Sequence, residues 1–253
     1  MHRFYLPPVE CNSIPLMLTG REAHHALRVL RLRPGDRVTV LNGAGIEFIC
    51  DVETHDRDKV QLAVVGQKSI APPPCHITLL QAIPKAKIMD SIIQKATELG
   101  VARIVPLLAE RVVSDLDEKH SERKTEKWRQ VALEALKQCG TAWLPQVETP
   151  VTPAEFAARK EKFDLPLLAS LQRGARHPRL CFEEFQSQYG RKPETASIWV
   201  GPEGDFTPAE VEVAMTSGAL PITLGKLVLR VETAAVYCLS ILNYEIQSPT
   251  QRD

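Results

Sequence analysis

The fold is decided by the stretch Ser197-Ile198-Trp199-Val200-Gly201-Pro202-Glu203-Gly204-Asp205-Phe206-Thr207-Pro208-Ala209-Glu210. Residues 197–200 form an apolar run typical of a buried strand. Residues 207–210 suit a helix start, with an N-cap threonine, a proline at the first helical position and a glutamate that completes a capping box. The two glycines of residues 201–204 let a ligand approach the backbone closely. Strand, turn and helix in direct succession predict an α/β domain with a ligand site at the carboxyl end of the strand.

A second strand-to-helix connection follows this stretch. Residues 221–224 are predicted to form a strand, Gly225 to break it, and a helix to begin near Glu232. Arg230 and Glu232 are charged residues between apolar neighbours at this helix entrance. Taken alone, the pair is best explained as a buried ion pair that braces a tight turn.

The composition excludes several classes of protein. Lysine plus arginine and aspartate plus glutamate number 31 each in 253 residues, so a nucleic-acid surface would have to be a local patch. No apolar run is long enough to span a bilayer, and the N-terminus has no apolar segment of the secretory type. The six cysteines lack C-x-x-C spacing, which favours reduced thiols over a zinc site or a disulfide scaffold. We therefore expect a cytoplasmic protein that does not contact membranes.

Two domains are predicted, residues 1–70 and residues 71–253. The first has short strands at 37–41, 47–52 and 59–65 and is mostly β. Three consecutive prolines at 72–74 mark the boundary, because they fit neither a sheet ladder nor a helix interior. The second alternates strands and helices, beginning with a strand at 76–83, a helix at 87–99 and a strand at 101–108. Its last helix, from 233 to about 246, is apolar nearly all round, so it must be covered by the core or by another subunit.

A basic stripe is expected on a helix in the first domain. At 3.6 residues per turn, one side of residues 20–31 carries Arg21, His24, His25, Arg28 and Arg31, and apolar residues occupy the other side. Such a stripe is either a solvated helix face or a contact to RNA phosphates. The histidines could equally be packed and neutral.

The residues alone indicate a ligand site but no reaction. Turns suited to a ligand follow three predicted strands, at residues 169–170, 201–204 and 224–229. The chain has no G-x-S-x-G, no G-x-x-x-x-G-K-[ST], no H-E-x-x-H and no complete G-x-G-x-x-G after a strand. These patterns predict an α/β ligand-binding domain, joined to a small β domain that could touch RNA.

Several blocks together resemble the ribosomal RNA small subunit methyltransferase E family, which belongs to the SPOUT, or trefoil-knot, superfamily. The blocks are 201–206, 224–235, Gln81-Ala82-Ile83-Pro84-Lys85, Met89-Asp90, 92–101 and, more weakly, 24–45. Members of this family are S-adenosylmethionine-dependent uridine N3-methyltransferases of 16S ribosomal RNA. The resemblance implies a C-terminal trefoil-knot domain, an N-terminal PUA-like β-barrel that binds RNA, and a homodimer whose interface includes the last helix.

The resemblance also implies a cofactor site built by three loops. Carried over by position, the residues that bind S-adenosylmethionine are Leu168, Ala169, Ser170, Gly201, Pro202, Glu203, Gly204, Leu224, Gly225, Leu227, Leu229, Arg230, Thr233 and Ala234.

The implied reaction moves a methyl group from a sulfonium to N3 of uracil. No metal is expected, because the leaving group departs neutral. N3 must lose a proton, which a carboxylate could accept while an arginine stabilises the charge on the uracil oxygens. Arg230 and Glu232 are the candidates, with Glu203 as the other possible base. The alternative, that Arg230 and Glu232 only brace their loop, stays open.

The RNA substrate is expected to be small-subunit ribosomal RNA or the assembled small subunit. Its predicted contacts are Arg21, His25, Arg28, Arg31, Lys85, Lys95 and Arg103. Lys95 could instead pair with Glu98 or Asp90, which is usual for a helix lysine. Two other functions remain open: a SPOUT methyltransferase acting on another RNA target (a ribose 2′-O or a transfer RNA base), and a non-catalytic RNA-binding assembly factor.

Three positions depart from the family pattern. Asp205 stands where glycine is more common, Val231 where threonine is common, and Thr141 where arginine is expected. The missing arginine puts one RNA or cofactor contact in doubt.

Overall fold

The computed structural model describes residues 1–85, 88–111, 118–172 and 174–247. The strands are β1 His2–Tyr5, β2 Leu16–Leu18, β3 Arg37–Leu41, β4 Ile46–His55, β5 Val60–Ser69, β6 His76–Ala82, β7 Arg103–Leu107, β8 Gln146–Val147, β9 Leu165–Ala169, β10 Thr195–Val200 and β11 Leu220–Ile222. The helices are α1 Gly20–His24, α2 Ile88–Glu98, α3 Glu118–Cys139, α4 Pro153–Ala158, α5 Pro178–Tyr189, α6 Pro208–Thr216 and α7 Val231–Gln247. No helix among the described residues is long and apolar enough to cross a membrane.

The chain divides into two units. The first comprises Met1–Pro72 together with Leu133–Leu144, and the second comprises Pro73–Ala132 and Pro145–Asp253. The predicted fold class, an α/β domain preceded by a small β domain, is confirmed.

A five-stranded sheet forms the first unit, in the order β1-β3-β4-β5-β2. Only the β1–β3 pair is parallel. Two register shifts between β4 and β5, at Ile49/Cys50 and at Val52/Thr54, bend this long hairpin, because a bulge increases the local twist. Alternating residues of the strands fill a core that includes the fully buried Phe4, Val40 and Leu62.

The predicted helix at residues 20–31 is α-helical only in its first part. After α1, residues His25–Val29 form a π-helical turn in which the Leu30 N–H donates to the His25 carbonyl at 3.0 Å. Arg31 then has φ +56° and ends the segment. The predicted regular helix is therefore interrupted by a wider turn, which changes the spacing of the side chains along its faces. The expectation that the cations share one face stays a prediction.

The end of α3 belongs to the first unit through contacts of several kinds. Lys137 Nζ lies 2.7 Å from Glu22 Oε1, and both side chains are nearly buried. Arg3 Nη1 donates to the Gln138 carbonyl at 3.0 Å and so caps the last turn of the helix. The Trp143 indole N–H donates to the Ile70 carbonyl at 3.2 Å. The Arg3 bond satisfies a carbonyl that the helix terminus would otherwise leave unpaired.

The second unit contains a six-stranded, wholly parallel sheet in the order β11-β9-β10-β6-β7-β8. Leu80 and Trp199 lie in register on one face and pack with Phe156 of α4 and Val211 of α6. The last described helix, α7, packs against α2 and β10. The strands β11, β9 and β10 are direct neighbours, so the loops that follow them leave the same edge of the sheet.

Candidate functional site

A cavity of about 410 Å³ lies at the carboxyl ends of β9, β10 and β11. Its volume is within the range of small-molecule sites, roughly 300–1,000 Å³. Eleven of the fourteen residues expected to bind the cofactor line it, namely Ala169, Ser170, Gly201, Pro202, Glu203, Leu224, Gly225, Leu227, Leu229, Arg230 and Ala234. The three strand-end turns predicted from the sequence therefore enclose one cavity.

Three of the fourteen residues do not line the cavity. Leu168 is fully buried in the core that contains Trp199, because alternate residues of a strand face opposite sides of the sheet. Gly204 and Thr233 are exposed beside the cavity loops. The sequence reasoning missed five apolar lining residues, Ile88, Leu171, Val200, Val228 and Val231. Four of them adjoin predicted positions, but Ile88 comes from the start of α2 and lies in none of the blocks that carry the resemblance.

The turn at residues 201–206 has a fixed backbone. The Asp205 N–H donates to the Pro202 carbonyl at 2.9 Å. Asp205 itself has φ +60°, a left-handed conformation that non-glycine residues rarely adopt, and its Oδ1 accepts a hydrogen bond from the Phe206 N–H at 2.8 Å. A Cβ on Gly201 would lie 2.9 Å from that same Oδ1. A glycine, which the family resemblance leads us to expect at position 205, would adopt this φ without strain, whereas the aspartate adds a local hydrogen bond.

Glu203 connects this turn with the loop after β6. Its Oε1 accepts a hydrogen bond from the Lys85 N–H at 3.0 Å, while its side chain also lines the cavity. The expected helix start is confirmed here too: Thr207 and Glu210 form a complete capping box at the start of α6.

Arg230 and Glu232 both line the cavity at the N-terminus of α7. The Arg230 carbonyl accepts a hydrogen bond from the Ala234 N–H at 2.8 Å, which begins the helix. A carboxylate such as Glu232 is stabilised in the first turn by the helix dipole. Within the described parts of the chain, neither side chain forms an ion pair with the other. The geometry therefore lacks the bracing ion pair that the simpler interpretation requires.

Two of the three cations expected to bind RNA in the second unit have carboxylate partners. Lys95 Nζ lies 2.9 Å from Glu98 Oε2, so the alternative given for it holds. Arg103 donates to Glu148 and Glu161, each at 2.5 Å. The Arg103 guanidinium is thus engaged by two carboxylates, which does not favour the expected RNA contact, and that contact stays a prediction. Lys85 remains exposed beside the cavity loops.

The cations expected to bind RNA in the first unit differ in accessibility. Arg28 and Arg31 are exposed. Arg21 pairs with Glu134 at 3.2 Å. His25 is half-buried, with its ring 6.1 Å from that of Phe4 in an edge-on contact, so the alternative of a packed histidine holds for it.

All six cysteines are free thiols. Burial raises the pKa of Cys50, of Cys75 and of Cys238 to about 12, so these thiols stay protonated and unreactive at neutral pH. Among the described residues, there is no cluster of three or more His, Cys, Asp or Glu side chains that could hold a metal ion.

Comparisons with known proteins agree with this architecture. Residues 71–243 match a family model described as an RNA methyltransferase domain, and residues 18–65 match one described as an RNA methyltransferase PUA domain. The chain is 30% identical to ribosomal RNA small subunit methyltransferase E of Bacillus subtilis, covering 91% of this chain and 90% of the relative. The enzyme of the same name from Synechocystis is 32% identical over 98% of this chain and 78% of its own length.

Solved structures with bound cofactor have the same fold. A methyltransferase from Legionella pneumophila, in complex with S-adenosylmethionine, has a TM-score of 0.84 and 31% identity, with 96% of each chain covered. Ribosomal RNA small subunit methyltransferase E from Neisseria gonorrhoeae, bound to S-adenosylmethionine, has a TM-score of 0.82 and 26% identity, covering 96% of this chain and 97% of that one. The chain, with a PUA domain ahead of an RNA methyltransferase domain, thus belongs to the ribosomal RNA small subunit methyltransferase E family.

Proposed function

We propose that the protein uses S-adenosylmethionine to methylate N3 of a uridine in 16S ribosomal RNA, which gives 3-methyluridine. The observation that carries the proposal is the cavity at the ends of β9, β10 and β11, lined by residues that the family resemblance had indicated. Relatives of the same fold hold S-adenosylmethionine. The choice of uracil N3 rests on family membership over nearly the whole chain.

The residues of the cavity suit this cofactor. Glycine at 201 leaves the backbone accessible, and Leu171, Val200 and Val228 supply apolar surface for an aromatic base. The lining also contains three carboxylates (Glu203, Asp205 and Glu232) and one arginine. This balance of charge favours a ligand with a positive centre. When bound, S-adenosylmethionine supplies a methyl group on a positively charged sulfur.

The protein's own groups then have to activate and orient the uracil. Glu232 is the better candidate to accept the N3 proton, because Glu203 already accepts a hydrogen bond from the Lys85 backbone. Arg230, on the same cavity wall, is placed to stabilise the negative charge that deprotonation spreads onto the uracil oxygens. The loops contribute by holding the nitrogen in line with the methyl group, which alone removes much of the entropic part of the barrier.

Each of the two domains offers exposed cations that could contact the RNA backbone. In the PUA domain Arg28 and Arg31 are exposed cations suited to phosphates. In the methyltransferase domain Lys85 is exposed on the loop that Glu203 holds. The target uridine must be unpaired or flipped out, since N3 is otherwise inside a base pair. A ribosomal RNA substrate also implies that the protein acts in the cytoplasm.

A homodimer through α7 is part of the proposal. The helix buries Leu239 and Leu242 against its own unit, whereas Tyr237 and Tyr244 remain 46% and 73% exposed. Exposed aromatic residues on an apolar helix favour a protein interface. Sedimentation at micromolar concentration should give twice the mass of the chain; a stable monomer would contradict this part.

The proposed function is tested by two assays on one preparation. Titration calorimetry should detect S-adenosylmethionine binding, and isotope from the labelled methyl group should enter small-subunit ribosomal RNA or the assembled subunit. Label in transfer RNA alone would favour the other RNA target. Salt-sensitive RNA binding without any cofactor heat would favour the assembly factor.

A further inference from the structure

Residues 110–111, after β7, contact the turn at residues 201–206 and its neighbouring helix. Among the described residues of this loop, 108–111, none lines the cavity. Arg111 Nη1 donates a hydrogen bond to the Gly204 carbonyl. The aliphatic part of the same side chain packs on Gly204, since a Cβ added there would lie 3.4 Å from Arg111 Cδ. The arginine thus contacts the turn through both its charge and its stem.

A second hydrogen bond joins the residues after β7 to the first turn of α6, which follows the turn at residues 201–206. The Glu110 N–H donates to Glu210 Oε1 at 2.8 Å, and the other oxygen of Glu210 accepts from the Thr207 N–H at 2.8 Å. The Glu210 carboxylate therefore bonds both the start of α6 and the backbone of Glu110. Because Glu110 and Glu210 hold the loops in place, Arg111 is directed at Gly204.

The bonded carbonyl lies at a sensitive position of the turn. Gly204 is flanked by Glu203 and Asp205, which both line the cavity, and Asp205 has the strained φ of +60°. A bond from a charged donor restrains the peptide between Gly204 and Asp205 more strongly than a neutral one would. Loss of that restraint would let the turn relax away from the shape that forms the cavity wall.

We infer that Arg111 is a positioning residue, which holds the turn at residues 201–206 in the conformation that binds the cofactor. The inference rests on the proposed function, since it names the cofactor cavity as what the turn serves. Arg111 acts through Gly204 and not by touching the cofactor.

The test compares Arg111→Ala and Arg111→Lys with Arg123→Ala, in which an exposed arginine on α3 is removed. Loss of one charged hydrogen bond should raise the Kd for S-adenosylmethionine roughly tenfold in Arg111→Ala. Arg111→Lys should recover part of the affinity, and Arg123→Ala should match the unchanged protein. Amide hydrogen exchange of the peptide covering 201–207, measured without cofactor, should be faster only in the two Arg111 variants.

Two outcomes would overturn the inference. Unchanged affinity and unchanged exchange in Arg111→Ala would show that the turn does not depend on this arginine. A raised KM for RNA at unchanged cofactor affinity, with a shallower salt dependence, would make Arg111 an RNA contact instead. Absence of cofactor binding by the unchanged protein would contradict the proposed function, and the exchange measurement would still show whether Arg111 restrains the turn.

Discussion

At the scale of single residues, Arg230 has two possible roles: it stabilises charge on the uracil oxygens, or it only braces its loop. Its side chain lines the cavity and has no ion pair with Glu232 in the described part of the chain. We expect Arg230→Ala to lose turnover by about 10² to 10³, the usual effect of removing one group that stabilises developing charge. Single-turnover rates at saturating cofactor measure this, with unfolding temperature as the control for folding. Near-normal turnover in this variant would show that Arg230 only braces the loop and takes no part in the reaction.

Asp205 offers a stability test at the same scale. Its positive φ costs roughly 1 kcal/mol, and its bond to the Phe206 N–H offsets about as much. Asp205→Ala keeps the strain but loses the bond, so we expect a destabilisation of about 1 kcal/mol. Asp205→Gly loses both and should stay within about 0.5 kcal/mol of the unchanged protein. Thermal unfolding compares the two; equal destabilisation by alanine and glycine would contradict the account.

At the scale of elements, the end of α3 depends on a close approach between Arg3 and Gly140. A Cβ at Gly140, where φ is +81°, would lie 2.7 Å from Arg3 Cζ. Gly140→Ala should therefore cost about 1 kcal/mol for the backbone and a similar amount for displacing the arginine.

A double-mutant cycle with Arg3→Ala isolates the second cost. In the Arg3→Ala background, Gly140→Ala should cost only the backbone term, so the coupling energy should be about 1 kcal/mol. Gly100→Ala is a matched reference for the backbone term alone, because Gly100 also follows a helix, has φ +73° and has open space at its Cβ. A coupling energy near zero would mean that Arg3 does not cap the helix in solution.

The ion-pair network of Arg103 predicts a pH dependence. Hydrogen bonding to Arg103 lowers the pKa of Glu161 below its ordinary 4.5. A lowered folded-state pKa contributes stability that is present above the unfolded value and is lost as pH falls through the folded value. Glu161→Gln should therefore lower the unfolding temperature at pH 7 by a few degrees. The difference should shrink once the pH falls below 4.5; a difference that is constant from pH 7 to pH 3 would contradict the role of this carboxylate.

Elements that depend on residues close together in the sequence were predictable. Elements that depend on contacts between distant residues were not. The strand before Gly201 and the capping box at Thr207 lie within 14 residues of sequence and were predicted correctly. The π-helical turn His25–Val29 was missed, because apolar periodicity near 3.6 predicts a regular helix and does not show where a turn widens. The ion pair of Arg103 was missed for a related reason, since its partner Glu161 is 58 positions away.

At the scale of the whole molecule, the order of domains could be predicted but not every boundary. Proline residues 72–74 follow the match at 18–65 and lie at the start of the match at 71–243. The return of residues 133–144 to the first unit rests on contacts such as Trp143 to Ile70 and Lys137 to Glu22, which lie 73 and 115 positions apart. Contacts at such separations leave no local pattern in one sequence. The cavity was more predictable, because its loops follow strands that the sequence does show.

The atom that receives the methyl group defines the proposed reaction. The most direct measurement incubates the protein with labelled S-adenosylmethionine and small ribosomal subunits from cells that lack it, and then identifies the labelled nucleoside by mass spectrometry after complete digestion. The account predicts one labelled nucleoside, 3-methyluridine, and its loss with Arg230→Ala. Label on a ribose 2′-oxygen or on another base, or no label despite measured cofactor binding, would contradict it.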